Sequence, residues 1–111
     1  MRVRYVRQGR YSSVMLDVVV ERTNDTGQVQ RRCIEVKCFA DPRRDTTEMY
    51  SALGQYLFYQ WLLQRAMPDA ELYLAVPVEA YMRVFHRVVL AAYRRFGVKI
   101  VVVDTNRETV F

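Results

Sequence analysis

The chain has 111 residues, 51% of them apolar and 26% charged, which is ordinary globular usage for one compact domain. Seventeen basic against twelve acidic residues leave a net charge of +5, compatible with a nucleic-acid partner without being diagnostic of one. No apolar run approaches the roughly 20 residues that span a bilayer. The basic start Met1-Arg2-Val3-Arg4 leads into no secretory core, and four Gly, three Pro and two Cys exclude collagen and disulfide mini-proteins.

In chain order, Arg2–Arg7 is extended in character. Val14–Glu21, rich in Val18-Val19-Val20, is a predicted strand. Thr23-Asn24-Asp25-Thr26-Gly27 is turn chemistry, and Gln28–Phe39 resumes the extended pattern, so a β-hairpin is expected. Cys33 and Cys38 fall in one strand, their Cα atoms roughly 16 Å apart. That is too far to bridge, so both are expected as free, buried thiols of a cytoplasmic protein.

Ala40-Asp41-Pro42-Arg43-Arg44 breaks the sheet. Asp45 as N-cap with Glu48 three residues on then opens a long helix to about Met67, stopped by Pro68-Asp69. Glu71–Val76 is a short strand. After Pro77 one further helix is expected to about Phe96, with Gly97 closing it. Its predicted inner face is Tyr81, Val84, Phe85, Val88, Val89, Ala92 and Phe96, with Arg83, Arg87 and Arg94 on a second stripe. Val98–Val103 is apolar throughout, the pattern of a strand covered on both faces. The order β-β-β-α-β-α-β implies an α/β (α+β) domain, a mixed sheet with flanking helices.

Alternation supplies the functional signal. Residues two apart in a strand share a face. Asp17 therefore sits between Met15 and Val19, and Glu35 and Lys37 between Cys33 and Phe39, charged groups on otherwise apolar faces. A buried carboxylate needs compensation, and three such groups on adjacent strands can compensate one another or share a cation. Metal-assisted phosphodiester hydrolysis uses that arrangement. Asp17, Glu35 and the Val36 carbonyl suit Mg²⁺ or Mn²⁺, and Lys37 suits a water or a developing charge. On the following helix Glu48, Ala52, Gln55 and Tyr59 form one stripe. It offers an amide and a phenol for a phosphate or metal-bound water, while Leu53, Tyr56, Leu57 and Trp61 are expected to pack elsewhere. Glu48 is explained by capping and is otherwise an additional acid. Arg43 and Arg44 are the best phosphate candidates, and His86 is an ordinary surface histidine.

Ile34-Glu35-Val36-Lys37-Cys38-Phe39, Ala52-Leu53-Gly54-Gln55-Tyr56 with Tyr59, and Leu72-Tyr73-Leu74-Ala75-Val76-Pro77 resemble the XisH family from about Tyr11 to Phe111. These are controlling factors for excision of the fdxN element in cyanobacteria. The resemblance implies a restriction-endonuclease-like PD-(D/E)xK fold, with the motif on Asp17, Glu35 and Lys37 and the Q-x-x-x-Y element of RecB-like nucleases on Gln55 and Tyr59. It also implies site-specific DNA excision during heterocyst development, with DNA, an XisI-type protein and a separate recombinase as partners. Family members begin with a helix of some 20–25 residues, where this chain has Met1–Arg10, and carry E-V-K-S-F where this chain has E-V-K-C-F.

Two functions are therefore expected in competition, with a small α/β domain of no nucleic-acid role as a third possibility. One is a Mg²⁺-dependent DNA endonuclease using Asp17, Glu35, Lys37, Gln55 and Tyr59. The other is a catalytically silent accessory protein that binds DNA or an XisI-like partner and regulates a recombinase. A homodimer is expected on either reading, because a sheet short of helical cover needs a neighbour.

Overall fold

The computed structural model describes the backbone of residues 2–6, 9–11, 14–16, 18–104 and 109–110, and side chains over 19–104. Among the described residues, eight strands, β1 (Arg2–Val6), β2 (Gly9–Tyr11), β3 (Val14–Leu16), β4 (Val18–Thr23), β5 (Val29–Val36), β6 (Glu71–Pro77), β7 (Ile100–Asp104) and β8 (Thr109–Val110), combine with three α-helices, α1 (Asp45–Ala66), α2 (Val78–Val84) and α3 (Arg87–Arg95). The main sheet has the order β1-β4-β5-β6-β7-β8, and β2-β3 form a separate two-stranded piece. β5–β6 and β6–β7 are parallel, bridged by α1 and by α2–α3, and the other pairs are antiparallel. The expected mixed α/β architecture is therefore observed. No helix among the described residues is long and apolar enough to cross a membrane.

The hairpin forms where the turn chemistry places it. Asn24 Oδ1 accepts from the Thr26 and Gln28 amides at 3.1 and 2.9 Å, and from the Thr26 hydroxyl at 2.7 Å. Gly27 takes φ +84°, which an L side chain resists. The single strand expected over Val14–Glu21 is instead two strands in two sheets. Asp17, at the junction, lies outside the described residues.

All three helices pack on one face of the main sheet. Val19, Cys33, Leu72, Leu74 and Val76 point there and are buried with Ala52, Tyr56, Leu63, Ala80, Val84, Phe85 and Tyr93. The opposite face carries half-buried Val20, Ile34, Tyr73 and Val101, with no described helix over it. Every residue of β7 is accordingly only half-buried, which corrects the expectation of a strand covered on both sides. Cys38 is likewise exposed, while Cys33 is buried, because the two have opposite parity about the sheet.

Two helix boundaries differ from the sequence pattern. A 3-10 turn, Pro42–Arg44, precedes α1 and is capped by Asp41, whose carboxylate accepts from the Arg43 amide at 3.1 Å. Asp45 is thus the first residue of α1 rather than its cap, since Asp41-Pro42 already supplies a cap and a preset first φ. The helix expected after Pro77 breaks at Phe85–His86. The Phe85 ring is drawn inward, meeting Tyr93 edge-on at 5.0 Å, Phe39 edge-on at 5.8 Å and stacking on Tyr81 at 5.8 Å. That cluster outweighs helical continuity and rotates the remainder, so Val88 and Phe96, predicted inward, are exposed. α3 ends as Gly97 predicts. The Gly97 amide donates to Arg94 and the Val98 amide to Tyr93, at 3.0 Å each, with Gly97 at φ +77°.

Candidate metal and phosphate site

The alternation read from β5 is observed. Cys33, Glu35, Lys37 and Phe39 turn toward the helices, while Ile34, Val36 and Cys38 turn away. Glu35 is 8% exposed and is the one buried charged residue among those described. Its strand lies between β4 and β6, and the Lys37 amide donates to the Ala75 carbonyl at 3.0 Å. The backbone beneath the ionisable pair is thereby fixed from both sides.

Helix α1 presents the predicted stripe to this strand. Glu48 Oε2 lies 3.9 Å from Lys37 Nζ, and its Oε1 lies 3.6 Å from Arg44. Glu48 therefore bridges two cations instead of completing a capping box. One turn on, Ala52 is fully buried, and the Gln55 amide oxygen is buried without a hydrogen-bond partner among the described residues. An acceptor in that state costs about 1–3 kcal/mol, a cost a site can carry when a ligand or water is meant to donate to it. Tyr59 is half-buried against the core.

Glu35, Glu48, the Val36 carbonyl and the Gln55 amide supply hard oxygen donors of the kind Mg²⁺ takes, an ion that keeps several waters and needs few protein ligands. Among the described residues no three His, Cys, Asp or Glu side chains come together as a metal-binding group. The third predicted carboxylate, Asp17, is outside them.

The rim is basic. Arg43, its side chain 90% exposed, contacts Asp41 through Nε at 3.2 Å, and Arg44 is largely exposed beyond Glu48. The Arg43 hydrogen bonds hold the Asp41 carboxyl below its usual range. His86 is exposed, as expected.

Three features escaped the sequence pattern. Arg83 reaches back from α2 to pair with Asp45, Nε to Oδ2 at 2.6 Å, and donates to the Phe39 carbonyl at 2.8 Å. Phe39 has φ +52°, a left-handed turn that ends the strand beside Lys37. Tyr56, expected to pack elsewhere, is fully buried. Its hydroxyl donates to the Leu72 carbonyl at 2.7 Å and accepts from the Lys99 amide at 3.2 Å, fixing α1 over β6. The one available signal for Tyr56 was its place one helical turn after Ala52 and two before Leu63.

The XisH protein family model matches residues 4–111. The chain belongs to the XisH family. Two crystal structures agree with that membership. An XisH family protein from Nostoc punctiforme PCC 73102 is similar at 27% identity with a TM-score of 0.78, covering 98% of this chain and 85% of the other. An fdxN element excision controlling factor protein from Anabaena variabilis is similar at 29% identity with a TM-score of 0.78, covering 98% and 84%. A search of curated proteins gives no match. The segments on which the sequence resemblance rests include β5, the middle of α1 and β6, the three elements that frame Glu35, Lys37 and Gln55.

Proposed function

We propose that this XisH-family chain acts in DNA element excision as a Mg²⁺- or Mn²⁺-dependent endonuclease of the PD-(D/E)xK kind. The observation that carries the reading is the placement of buried Glu35 on β5 and half-buried Lys37 just beyond its end, both on the helix-facing side, opposite a helix that turns Glu48 toward Lys37 and buries the Gln55 amide oxygen. A solvated ion pair on an exposed hairpin would have no reason to sit there.

Glu35, the Val36 carbonyl and Asp17 would hold the cation. A bound divalent ion supplies Lewis acidity and a water of lowered pKa. Lys37 would direct its ammonium donors to the attacking water or to the negative charge developing on the phosphoryl oxygens. Gln55 orients the water through its amide, and Tyr59 offers a phenol donor to the same phosphate. Arg43 and Arg44 grip flanking phosphates from the rim.

A second reading has its own support. The Anabaena variabilis protein is a controlling factor by name, and Lys37 already has an anionic neighbour in Glu48. On that reading the chain is a silent accessory protein that binds DNA or an XisI-like partner and regulates a separate recombinase. Supercoiled plasmid separates the two. The endonuclease nicks it with Mg²⁺ or Mn²⁺ and loses the activity in Lys37→Ala. An absence of divalent-dependent nicking, or nicking that survives Lys37→Ala, overturns the first reading.

A further inference from the structure

The net charge of the chain is concentrated in one stretch. Residues 80–103 hold five basic side chains, Arg83, Arg87, Arg94, Arg95 and Lys99, and no acidic one, while the rest of the sequence balances at twelve of each sign. Two of the five have partners: Arg83 pairs with Asp45, and the Lys99 ammonium lies over the Tyr73 ring at 5.5 Å. Arg87, Arg94 and Arg95 are exposed on α3, with no ion pair among the described residues.

These three share one stripe. Tyr93 is buried and its hydroxyl donates to the Met49 carbonyl, which fixes the inward side of α3 against α1. Arg87, exposed Ala91, Arg94 and Arg95 fall at i, i+4, i+7 and i+8 along the solvent side. The stripe is about 12 Å long at 1.5 Å per residue, a length over which one strand of duplex DNA sets out about three phosphates. Ala91 keeps its middle low.

The helix termini sharpen the point. Arg94 and Arg95 suit the negative end of the α3 dipole, but Arg87 stands at the positive end, where a cation is disfavoured. The first turns of α1 and α2 carry acids and that of α3 carries none, so an anion from outside would complement it. That end also adjoins the candidate site. His86 and Val89 share a groove with Asp45, Thr46 and Met49, and Glu48 belongs to the same first turn of α1. The one carboxylate lining the groove, Asp45, is neutralised by Arg83.

We propose that the backbone of duplex DNA runs along α3, its phosphates held by Arg87, Arg94 and Arg95. The inference rests on the reading that the chain acts on DNA, and it adds the face on which the duplex lies. A protein partner would need an apolar centre, whereas this stripe sets Ala91 among guanidinium groups, with Val88 the one larger apolar side chain exposed beside it on the helix.

Fluorescence anisotropy of a labelled duplex of about 20 base pairs and arbitrary sequence, in EDTA at several salt concentrations, tests this. Each of Arg87→Gln, Arg94→Gln and Arg95→Gln should lower the slope of log K against log salt by about 1, and the triple variant by about 3. Arg65→Gln, an equal loss of exposed charge on α1, should leave the slope nearly unchanged. Melting temperatures should hold in all of these variants, because each side chain is exposed. Native binding whose slope falls no further in the α3 variants than in Arg65→Gln overturns the proposal alone. A native chain that binds no duplex overturns it together with the DNA reading. Nicking plays no part in EDTA, so the outcome is independent of the plasmid assay.

Discussion

Arg83 forks onto the Asp45 carboxylate across 38 residues of sequence, Nε 2.6 Å from Oδ2 and Nη2 3.1 Å from Oδ1. Because the same Nη2 reaches the Phe39 carbonyl, one guanidinium ties α2 to the first turn of α1 and to the left-handed residue after β5. The Lys37 strand end and the Glu48 helix start are thus held in one frame. Paired donors of this kind cannot be reproduced by an ammonium group.

Arg83→Ala should therefore lower the melting temperature, and Arg83→Lys should recover it only in part. Asp45→Asn should cost less in an Arg83→Ala background than in the native chain. Equal costs in a double-mutant cycle followed by thermal denaturation would show the two groups to be uncoupled.

Glu35 and Lys37 should separate by role. Saturating Mg²⁺ should raise the melting temperature, the gain being about 2.7 kcal/mol at a hundredfold excess over Kd. Glu35→Ala should abolish that rise. Lys37→Ala should keep it yet reduce plasmid nicking by about 10²–10⁴-fold. Loss of the metal-linked rise in both variants would place Lys37 among the structural supports of the ion.

The two thiols should differ in accessibility. Cys38, exposed, should react with a disulfide reagent in the native protein, and Cys33 only after unfolding. Burial pushes the Cys33 thiol from its ordinary 9 up to about 11, and the Tyr93 phenol, which donates to the Met49 carbonyl, from 10 up to about 12. The folded state thus keeps protons that the unfolded chain releases. Stability should be complete below pH 9 and fall as pH rises from 9 through 11 and 12. Urea unfolding of Cys33→Ala should show a shallower decline between pH 9 and 11.

Tyr56→Phe removes a donor to Leu72 and an acceptor for Lys99. The loss should cost about 1–3 kcal/mol in urea unfolding and leave nicking unchanged. A fall in nicking comparable with that of Gln55→Ala would move Tyr56 into the site.

Short-range chemistry made much of this architecture legible. Asn24 and Gly27 announce the hairpin, Gly97 the end of α3, and the parity of Cys33, Glu35, Lys37 and Phe39 announces the inward face, because each depends on neighbours within a few positions. What escaped depends on distant partners. Phe85 leaves its helix for Phe39 and Tyr93, Asp45 serves Arg83 rather than a cap, and Glu48 serves Lys37 and Arg44. Parity also exposes Cys38, although hydrophobicity alone suggested burial. Tyr56 packs away from the Glu48 stripe, as its position on α1 suggested, but its bonds to Leu72 and Lys99 depend on strands far off in sequence.

The strands that form the two margins of the main sheet, β1 and β8, come from opposite ends of the chain, and β5 and β6 lie inside them. Each border strand is paired along one edge only, so local opening starts there. Amide hydrogen exchange should run fastest at β1 and β8 and slowest at β5 and β6. The Glu35 carboxylate should thus rest on one of the slowest-opening strands among the described residues, with Lys37 just beyond its end.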